Sequence, residues 1–208
     1  SFWAKSSKTT LNPVFSHGHE RGAFWFNKLA SKPYVYTGAS ANHRGSWSDS
    51  ALTTPQDDGN WHHWVVYLDA SSTTDCKLWL DGVPYGGAST SGASTPSAYT
   101  EELVIGAEFT GASTSAGDCF VGELRDFAWF DTELSNTSVT AIYNNGIPSD
   151  ISGLSNLQGY WRFINNVNDS SSNTNTGTIE GSPTYETESI PGFVPGMKVT
   201  GARGGIED

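Results

Sequence analysis

Two short apolar runs decide the fold: WHHWVVYLD at 61–69 and KLWLDG at 77–82. In the first run Trp64 and Val66 share one parity, and Val65 falls on the other. This two-residue alternation is typical of β-strands, because successive side chains point to opposite faces of a sheet. The second run alternates in the same way, and together they predict an antiparallel hairpin.

The apolar residues of the two runs also predict a register for this hairpin. The favoured register sets Leu68 beside Leu78 on the core face and Tyr67 beside Trp79 on the reverse face. A slip of one residue would place apolar side chains opposite polar ones. The aromatic pair Tyr67 and Trp79 is therefore expected on the face turned away from the core.

Outward from this hairpin, similar runs recur along the chain between Gly, Pro, Asn and Asp residues. Further strands are predicted at 2–6, 13–17, 23–27, 33–37, 102–107, 120–130 and 159–163. Many short strands without alternating helices are typical of a β-sandwich or barrel. The stretches 86–98 and 110–117, rich in Ser, Thr and Gly, are expected to be surface loops.

The longest predicted strand changes phase along its length. Leu124 lies on one parity, and Phe127 and Trp129 lie on the other. An extra residue in a strand produces this change, so a β-bulge is predicted near Arg125 and Asp126.

One short helix is predicted after this strand. Ser135 is a good N-cap, with Leu134 and Val139 spaced as a hydrophobic staple. Ile142 continues the buried face. Gly146 fits the left-handed position that follows a helix.

Composition excludes several classes of protein. The 208 residues carry a formal charge of −11, and the acidic balance disfavours phosphate-backbone binding, so no nucleic-acid partner is expected. No apolar run approaches the roughly 18 residues of a membrane span, so no membrane insertion is expected. Aromatic residues make up 12 % of the chain, which argues against disorder.

Cysteine and sequon content suggests a secreted context. Cys76 and Cys119 form an even pair that fits no metal-binding or redox motif. The sequence is consistent either with a disulfide between them or with two buried thiols. Asn136 and Asn168 begin N-x-S/T sequons, which hint at surface exposure.

The order of these motifs resembles the laminin G-like and pentraxin group of the concanavalin A-like lectin/glucanase superfamily. The resemblance is carried by WHHWVVYLD (61–69), KLWLDG (77–82), LVIGAE (103–108), FVGELRDFAWFDTELS (120–135), AIYNNG (141–146) and LQGYWRF (157–163). It implies an all-β, two-sheet antiparallel jelly-roll β-sandwich with one short helix over residues 1–185. Residues 186–208 are then a Gly/Pro-rich tail or linker.

The resemblance also bears on context and partners. The segment SSSNTNTGTIEG (170–181) is similar to one found in laminin G-like domains of secreted bacterial and phage virion proteins, which implies an extracellular, secreted or virion location. Such domains usually have an opening strand before the segment that matches SFWAK (1–5). This strand is expected to be missing, replaced, or supplied by a partner such as a second copy or a virion protein.

An enzymatic function is the first candidate, because glucanases share this architecture. Glucanases of the superfamily space Glu, Asp and Glu at alternate positions along one strand, whereas Glu123 and Asp126 have opposite parity here. His62 and His63 are expected to fix the start of a strand and not to act as general bases. The chain is therefore predicted not to be an enzyme, with a glucanase-type glycoside hydrolase as a remaining alternative.

A metal site is a second candidate. The position that matches the pentraxin calcium cluster retains Glu108, and a thin ligand set of Glu20, Glu108 and Asp118 is available. His17 and His19 could bind a transition ion together with Glu108. No cofactor is expected, and calcium is retained as the alternative.

Carbohydrate binding needs aromatic platforms and fixed polar groups. Two places qualify, the pair Tyr67 and Trp79, and a predicted loop at 42–49. The loop residues proposed for sugar contact are His43, Arg44, Trp47 and Asp49.

Together these features predict a non-catalytic recognition module that binds carbohydrate or a surface partner. The alternative is a structural module of a phage fibre or capsid decoration that binds no sugar.

Overall fold

Two antiparallel sheets face each other across one core in the computed structural model of the chain, which describes residues 1–17, 22–29, 32–36, 44–48, 55–68, 76–91, 102–109, 116–185 and 197–199. The first sheet has seven strands in the order β16 (Thr184–Tyr185), β17 (Met197–Val199), β13 (Gly122–Arg125), β1 (Phe2–Lys5), β6 (Trp61–Tyr67), β7 (Lys77–Leu80) and β8 (Val83–Pro84). The second has six in the order β10 (Leu103–Ile105), β2 (Asn12–His17), β3 (Ala23–Leu29), β4 (Lys32–Tyr36), β5 (Arg44–Ser48) and β9 (Gly87–Ser91). Two separate pairs complete the described strands, β11 (Ala107–Phe109) with β12 (Ala116–Cys119) and β14 (Phe127–Phe130) with β15 (Leu157–Trp161).

Aromatic side chains join the two sheets. The ring centroids of Phe2 and Phe24 lie 5.9 Å apart, and those of Phe26 and Trp64 lie 5.0 Å apart. All four residues are almost fully buried. Each large apolar side chain removed from water contributes roughly 1.5–3 kcal/mol, so these contacts account for much of the adhesion between the sheets. The predicted two-sheet sandwich with one short helix is confirmed.

The predicted hairpin forms, but its predicted register is wrong by two residues. Val66 lies opposite Leu78, and Tyr67 lies opposite Lys77, so Tyr67 and Trp79 are not cross-strand neighbours. A shift of two residues keeps every side chain on its face. Alternation alone therefore cannot separate the two registers.

The predicted phase change in the long strand is confirmed. Instead of a bulge within one strand, the chain forms two separate strands there. Asp126 has a φ of 49° and divides the predicted strand into β13 and β14. β13 pairs with β1, whereas β14 leaves that sheet and pairs with β15.

The predicted helix is α1 (Asn136–Tyr143), and Ser135 caps it by accepting a bond from the backbone N–H of Ser138. Val139 is buried beside Leu134, as the staple predicts. The helix stops earlier than expected, at Asn144, which is left-handed with a φ of 48°. A 3-10 turn (Asn144–Gly146) follows it, and Gly146 has the predicted left-handed backbone with a φ of 87°. Asn tolerates this conformation better than other residues with a Cβ, and this explains the earlier stop.

Three segments predicted to be irregular contain strands. β5 lies inside the predicted loop 42–49, and β9 lies inside the predicted loop 86–98. β12 begins within the predicted loop 110–117. Ladder pairing outweighs the weak strand propensity of Ser and Gly in these segments.

The last described strands bear on the predicted tail. β17 falls within residues 186–208 and pairs with β13, so part of this segment is attached to the sheet. It occupies the position beside β13, on the side away from β1. The domain boundary at residue 185 stays a prediction.

The turn that follows β7 packs tightly against the helix. Gly82 has a φ of +81°, and a Cβ placed on it would lie 2.8 Å from Cδ1 of Tyr143. The hydroxyl of Thr140 donates a bond to the carbonyl oxygen of Gly82 at 3.0 Å. The helix is thus seated directly on this turn.

We expect Gly82→Ala to lower the free energy of unfolding by about 1–3 kcal/mol, because it combines a left-handed backbone with a collision against Tyr143. Gly153→Ala is the matched control, since nothing lies within 4 Å of a Cβ there. Urea unfolding measures both variants. Equal stability of the two variants would contradict the packing of the turn against α1.

Candidate functional site

A cavity of about 190 Å³ opens between β6 and β14. Its lining is mostly aromatic and aliphatic, with a polar rim at Asp131 and Thr132. The lining residues are Ser1, Phe2, Phe15, Val65, Val66, Tyr67, Leu68, Trp79, Phe127, Ala128, Trp129, Phe130, Asp131, Thr132 and Leu134.

β1 lies between the two walls of the cavity at its inner end. The pairing of β1 with β6 includes Phe2 and Trp64, and Ser1 exchanges two backbone bonds with Ala128 of β14 at 2.7 and 2.9 Å. Where β1 separates them, β6 and β14 are two strand spacings of roughly 4.8 Å apart.

Of the predicted aromatic pair, Tyr67 contributes a half-buried ring to this cavity, and the ammonium of Lys77 lies 5.6 Å from its centroid. Trp79 lines the same cavity but is only 3 % exposed. Its indole N–H donates to Oδ1 of Asn136 at 2.7 Å, and it packs with Val139. The expected exposure of Trp79 is wrong, because α1 covers this part of the sheet. Its sugar-binding role stays a prediction.

The second predicted sugar site is only partly described. Arg44 and Trp47 lie on β5, a strand and not the expected loop, and only their backbone is described. His43 and Asp49 lie outside the described residues. Sugar contact by these four residues therefore stays a prediction.

The predicted metal ligands do not come together among the described residues. Glu108 is buried and accepts a bond from the indole N–H of Trp25 at 2.9 Å. The ring of His17 meets Trp129 edge-on at 6.1 Å. Glu20 and His19 lie outside the described residues, and only the backbone of Asp118 is described. Within the described ranges, no cluster of three or more His, Cys, Asp and Glu side chains could hold a metal ion, and calcium binding stays a prediction.

The two carboxylates weighed for glycoside hydrolysis are held in separate contacts. Glu123 pairs with the ammonium of Lys5 at 3.1 Å. Asp126 is buried, accepts from Nε of Arg125 at 2.6 Å, and accepts from the hydroxyl of Tyr160 at 2.7 Å. Burial and then the charge of Asp126 raise the pKa of Tyr160, which keeps its hydroxyl a donor.

His63 is buried near the start of β6. Burial lowers the pKa of His63 to about 3, so its ring is neutral. Its Nε2 lies 2.8 Å from the hydroxyl of Ser1.

His62 is clamped between two carboxylates. Its Nδ1 lies 2.7 Å from Asp81, and its Nε2 lies 3.1 Å from Asp58. Burial alone would lower the pKa of His62, but the hydrogen bonds and charges of Asp81 and Asp58 outweigh it and raise this pKa. Asp81 also accepts from the backbone N–H of His63, so the cluster joins the start of β6 to the turn after β7.

We expect this clamp to make stability depend on pH. A folded-state pKa above the unfolded value of about 6.5 stabilises fully below pH 6.5, and the effect is lost as pH rises through the folded pKa. The stability difference between wild type and His62→Gln should be larger at pH 5.5 than at pH 8.5, by on the order of 0.5–1 kcal/mol for a partly exposed pair. Urea unfolding at several pH values measures it. A difference that grows toward alkaline pH would show that His62 is not held by its carboxylates.

Cys76 and Cys119 are both buried, each 4 % exposed. Cys76 lies in the main core, and Cys119 ends β12. The disulfide stays a prediction.

Sequence reasoning missed the contribution of β14 and the segment after it to the cavity. Trp129, Phe130 and Leu134 all line it. One feature of the sequence could have revealed this contribution. β14 carries large apolar side chains on both faces, which is typical of a strand that is covered on each side.

The described helices include none with the length and apolar character of a membrane span.

Comparison with known proteins agrees with this architecture. No curated protein matches the chain. A laminin G-like family, described as concanavalin A-like lectin/glucanases superfamily, matches residues 1–140, which include the paired strands β1, β6 and β13 and both walls of the cavity. The match extends over more than half of the chain, and the protein therefore belongs to the laminin G-like domains of the concanavalin A-like lectin/glucanase superfamily.

Proposed function

We propose that this chain is a non-catalytic recognition module of an extracellular or virion protein, and that it binds carbohydrate or a surface partner in the cavity between β6 and β14. The superfamily is consistent with carbohydrate or partner binding. The observation that carries the proposal is the cavity itself, an aromatic and aliphatic recess with a polar rim.

The chemistry of the cavity suits a bound ligand. The ring of Tyr67 is only half buried, and an aromatic face of this kind stacks on the C–H faces of a sugar or on an apolar side chain. Asp131 and Thr132 are exposed at the rim and supply the few polar groups that orient a ligand.

The contacts that the carboxylates make support a non-catalytic function. Retaining hydrolysis needs two carboxyl groups facing one bond at about 5–5.5 Å. Glu123 is paired with Lys5, and Asp126 is buried among donors from the fold. Asp131 is the one carboxylate among the cavity's described lining residues, so the cavity supplies no acid–base pair.

The second candidate function is a structural module of a fibre or capsid decoration that binds no sugar. The glucanase alternative has less support, because Glu123 and Asp126 are held in separate contacts with other residues of the fold.

We expect an array of immobilised glycans to bind the wild-type chain, and Tyr67→Ala to abolish the signal because it removes the stacking face. Ile179→Ala is the control, since Ile179 is 47 % exposed and does not line the cavity. Trp47→Ala tests the predicted site on β5.

Each outcome decides one part of the proposal. Binding to no glycan would contradict the carbohydrate half. Binding that is lost on Trp47→Ala but kept on Tyr67→Ala would move the site away from the cavity.

The structural alternative predicts self-association or assembly with a virion partner. Sedimentation velocity over a wide range of concentrations should then show oligomers of this chain. A stable monomer throughout would count against a homo-oligomeric structural module.

A further inference from the structure

The two N-x-S sequons of the chain, at residues 136–138 and 168–170, lie in contrasting local structures. An oligosaccharyltransferase attaches a glycan to the Asn carboxamide of such a triplet and reads the hydroxyl two residues later. Both side chains must therefore reach the enzyme from one side of the backbone. Side chains at i and i+2 share a face in an extended chain, but they lie about 200° apart around a helix.

The triplet at 168–170 is extended. Asp169 forms an antiparallel bridge with Trp161, and the backbone N–H of Ser170 donates to the carbonyl oxygen of Tyr160 at 2.7 Å. Burial alternates along the triplet, because Asn168 and Ser170 are exposed whereas Asp169 is half-buried. The carboxamide and the hydroxyl that the enzyme needs therefore project from the same exposed face.

The side chain of Asp169 fixes this conformation from the other face. Its Oδ1 accepts from the backbone N–H groups of Tyr160 and Ser171, each at 2.8 Å. Its Oδ2 accepts from the backbone N–H of Asn175 at 2.7 Å and from the hydroxyl of Ser171 at 2.8 Å. Burial alone would raise the pKa of Asp169, but these bonds outweigh it and lower this pKa. The negative charge in the middle of the triplet thus faces the fold and not an approaching enzyme.

The groups on the exposed face are not used by the fold. Asn168 donates through its backbone N–H to Oδ1 of Asn166 at 2.9 Å, and within the described residues its carboxamide makes no hydrogen bond. The hydroxyl of Ser170 makes none to these residues either. A glycan on Asn168 would therefore replace no contact that stabilises the structure.

The triplet at 136–138 differs, because it forms the first turn of α1. Asn136 and Ser138 consequently point to different sides of the helix. Oδ1 of Asn136 accepts from the indole N–H of Trp79 at 2.7 Å. Oγ of Ser135 accepts from the backbone N–H of Ser138 at 3.1 Å and lies 2.9 Å from its hydroxyl. An enzyme reads this sequon only after the N-cap and the first turn have opened.

We propose that Asn168 is an N-glycosylation site and that the fold withholds Asn136 from the same reaction. The donor is an oligosaccharide carried on a lipid pyrophosphate. Nδ2 of Asn168 forms a bond to the anomeric carbon of the first sugar, the bond from that carbon to the pyrophosphate breaks, and one amide proton passes to a base of the enzyme. The proposal goes beyond the proposed function and shares with it only the extracellular location, since an exported chain meets such an enzyme.

The test incubates the folded 208-residue chain with a purified single-subunit oligosaccharyltransferase and a lipid-linked oligosaccharide. Mass spectrometry of the proteolysed product locates the glycan. Synthetic peptides of residues 133–140 and 165–172 measure how the enzyme accepts each sequence without the fold. We expect it to accept both peptides, and to modify the folded chain at Asn168 roughly thirtyfold more than at Asn136, the effect of one closed N-cap and one hydrogen bond.

Four variants separate the roles of the residues. Asn168→Gln and Ser170→Ala should each abolish the glycan, because one lacks the acceptor and the other the hydroxyl. Ser170→Thr keeps a hydroxyl and should still be modified. Ser138→Ala is the matched control, since it destroys the other sequon and should leave modification at Asn168 unchanged. Circular dichroism of each purified variant checks that it is folded.

The remaining outcomes decide the two halves of the proposal. A folded chain left unmodified at Asn168 would overturn the site, whether or not the peptide 165–172 is accepted. Equal modification of Asn168 and Asn136 in the folded chain, or rejection of the peptide 133–140, would overturn the protection assigned to α1. The glycan array uses the unmodified chain, so its result stands apart from all of these.

Discussion

The change of direction at Asp126 is the constraint on which the rest of the structure depends. A left-handed conformation at a residue with a Cβ costs roughly 1–2 kcal/mol, and Asp126 adopts it with a φ of 49°. Its carboxylate is buried and accepts bonds from Arg125 and Tyr160. Charge-assisted bonds of this kind contribute about 1.5–3 kcal/mol each, enough to offset the backbone cost. Loss of Arg125 would remove the closest counter-charge of this buried carboxylate, which is costly where water is excluded.

Two features follow from this turn. β13 stays beside β1, whereas β14 leaves that sheet and pairs with β15. The segment after β14 then leads into α1, which lies on Val65 and Trp79. The turn at Asp126 therefore directs both β14, which lines the cavity, and the helix that covers Trp79.

Much of the fold could be predicted from sequence, because alternation and capping are local signals. The hairpin of 61–69 with 77–82, the N-cap at Ser135 and the phase change near Asp126 all follow from residue spacing. The hairpin register and the strand β5 do not, since a shift of two residues preserves alternation and Ser-rich strands form through pairing. The candidate site was harder to predict, because local spacing does not show which elements pack over a residue. Trp79 has the pattern of an exposed residue, and only the position of α1 shows that it is covered.

The cavity bears directly on the proposed recognition function. Aromatic and aliphatic residues of β6, β7 and β14 line it, and under this proposal their faces contribute to the affinity of a bound ligand. The negative charge of the chain acts outside this recess, since its described lining includes Asp131 as the one carboxylate. Under the proposed function, specificity in this cavity is therefore set by shape and aromatic stacking, and the charged surface limits which partners approach it.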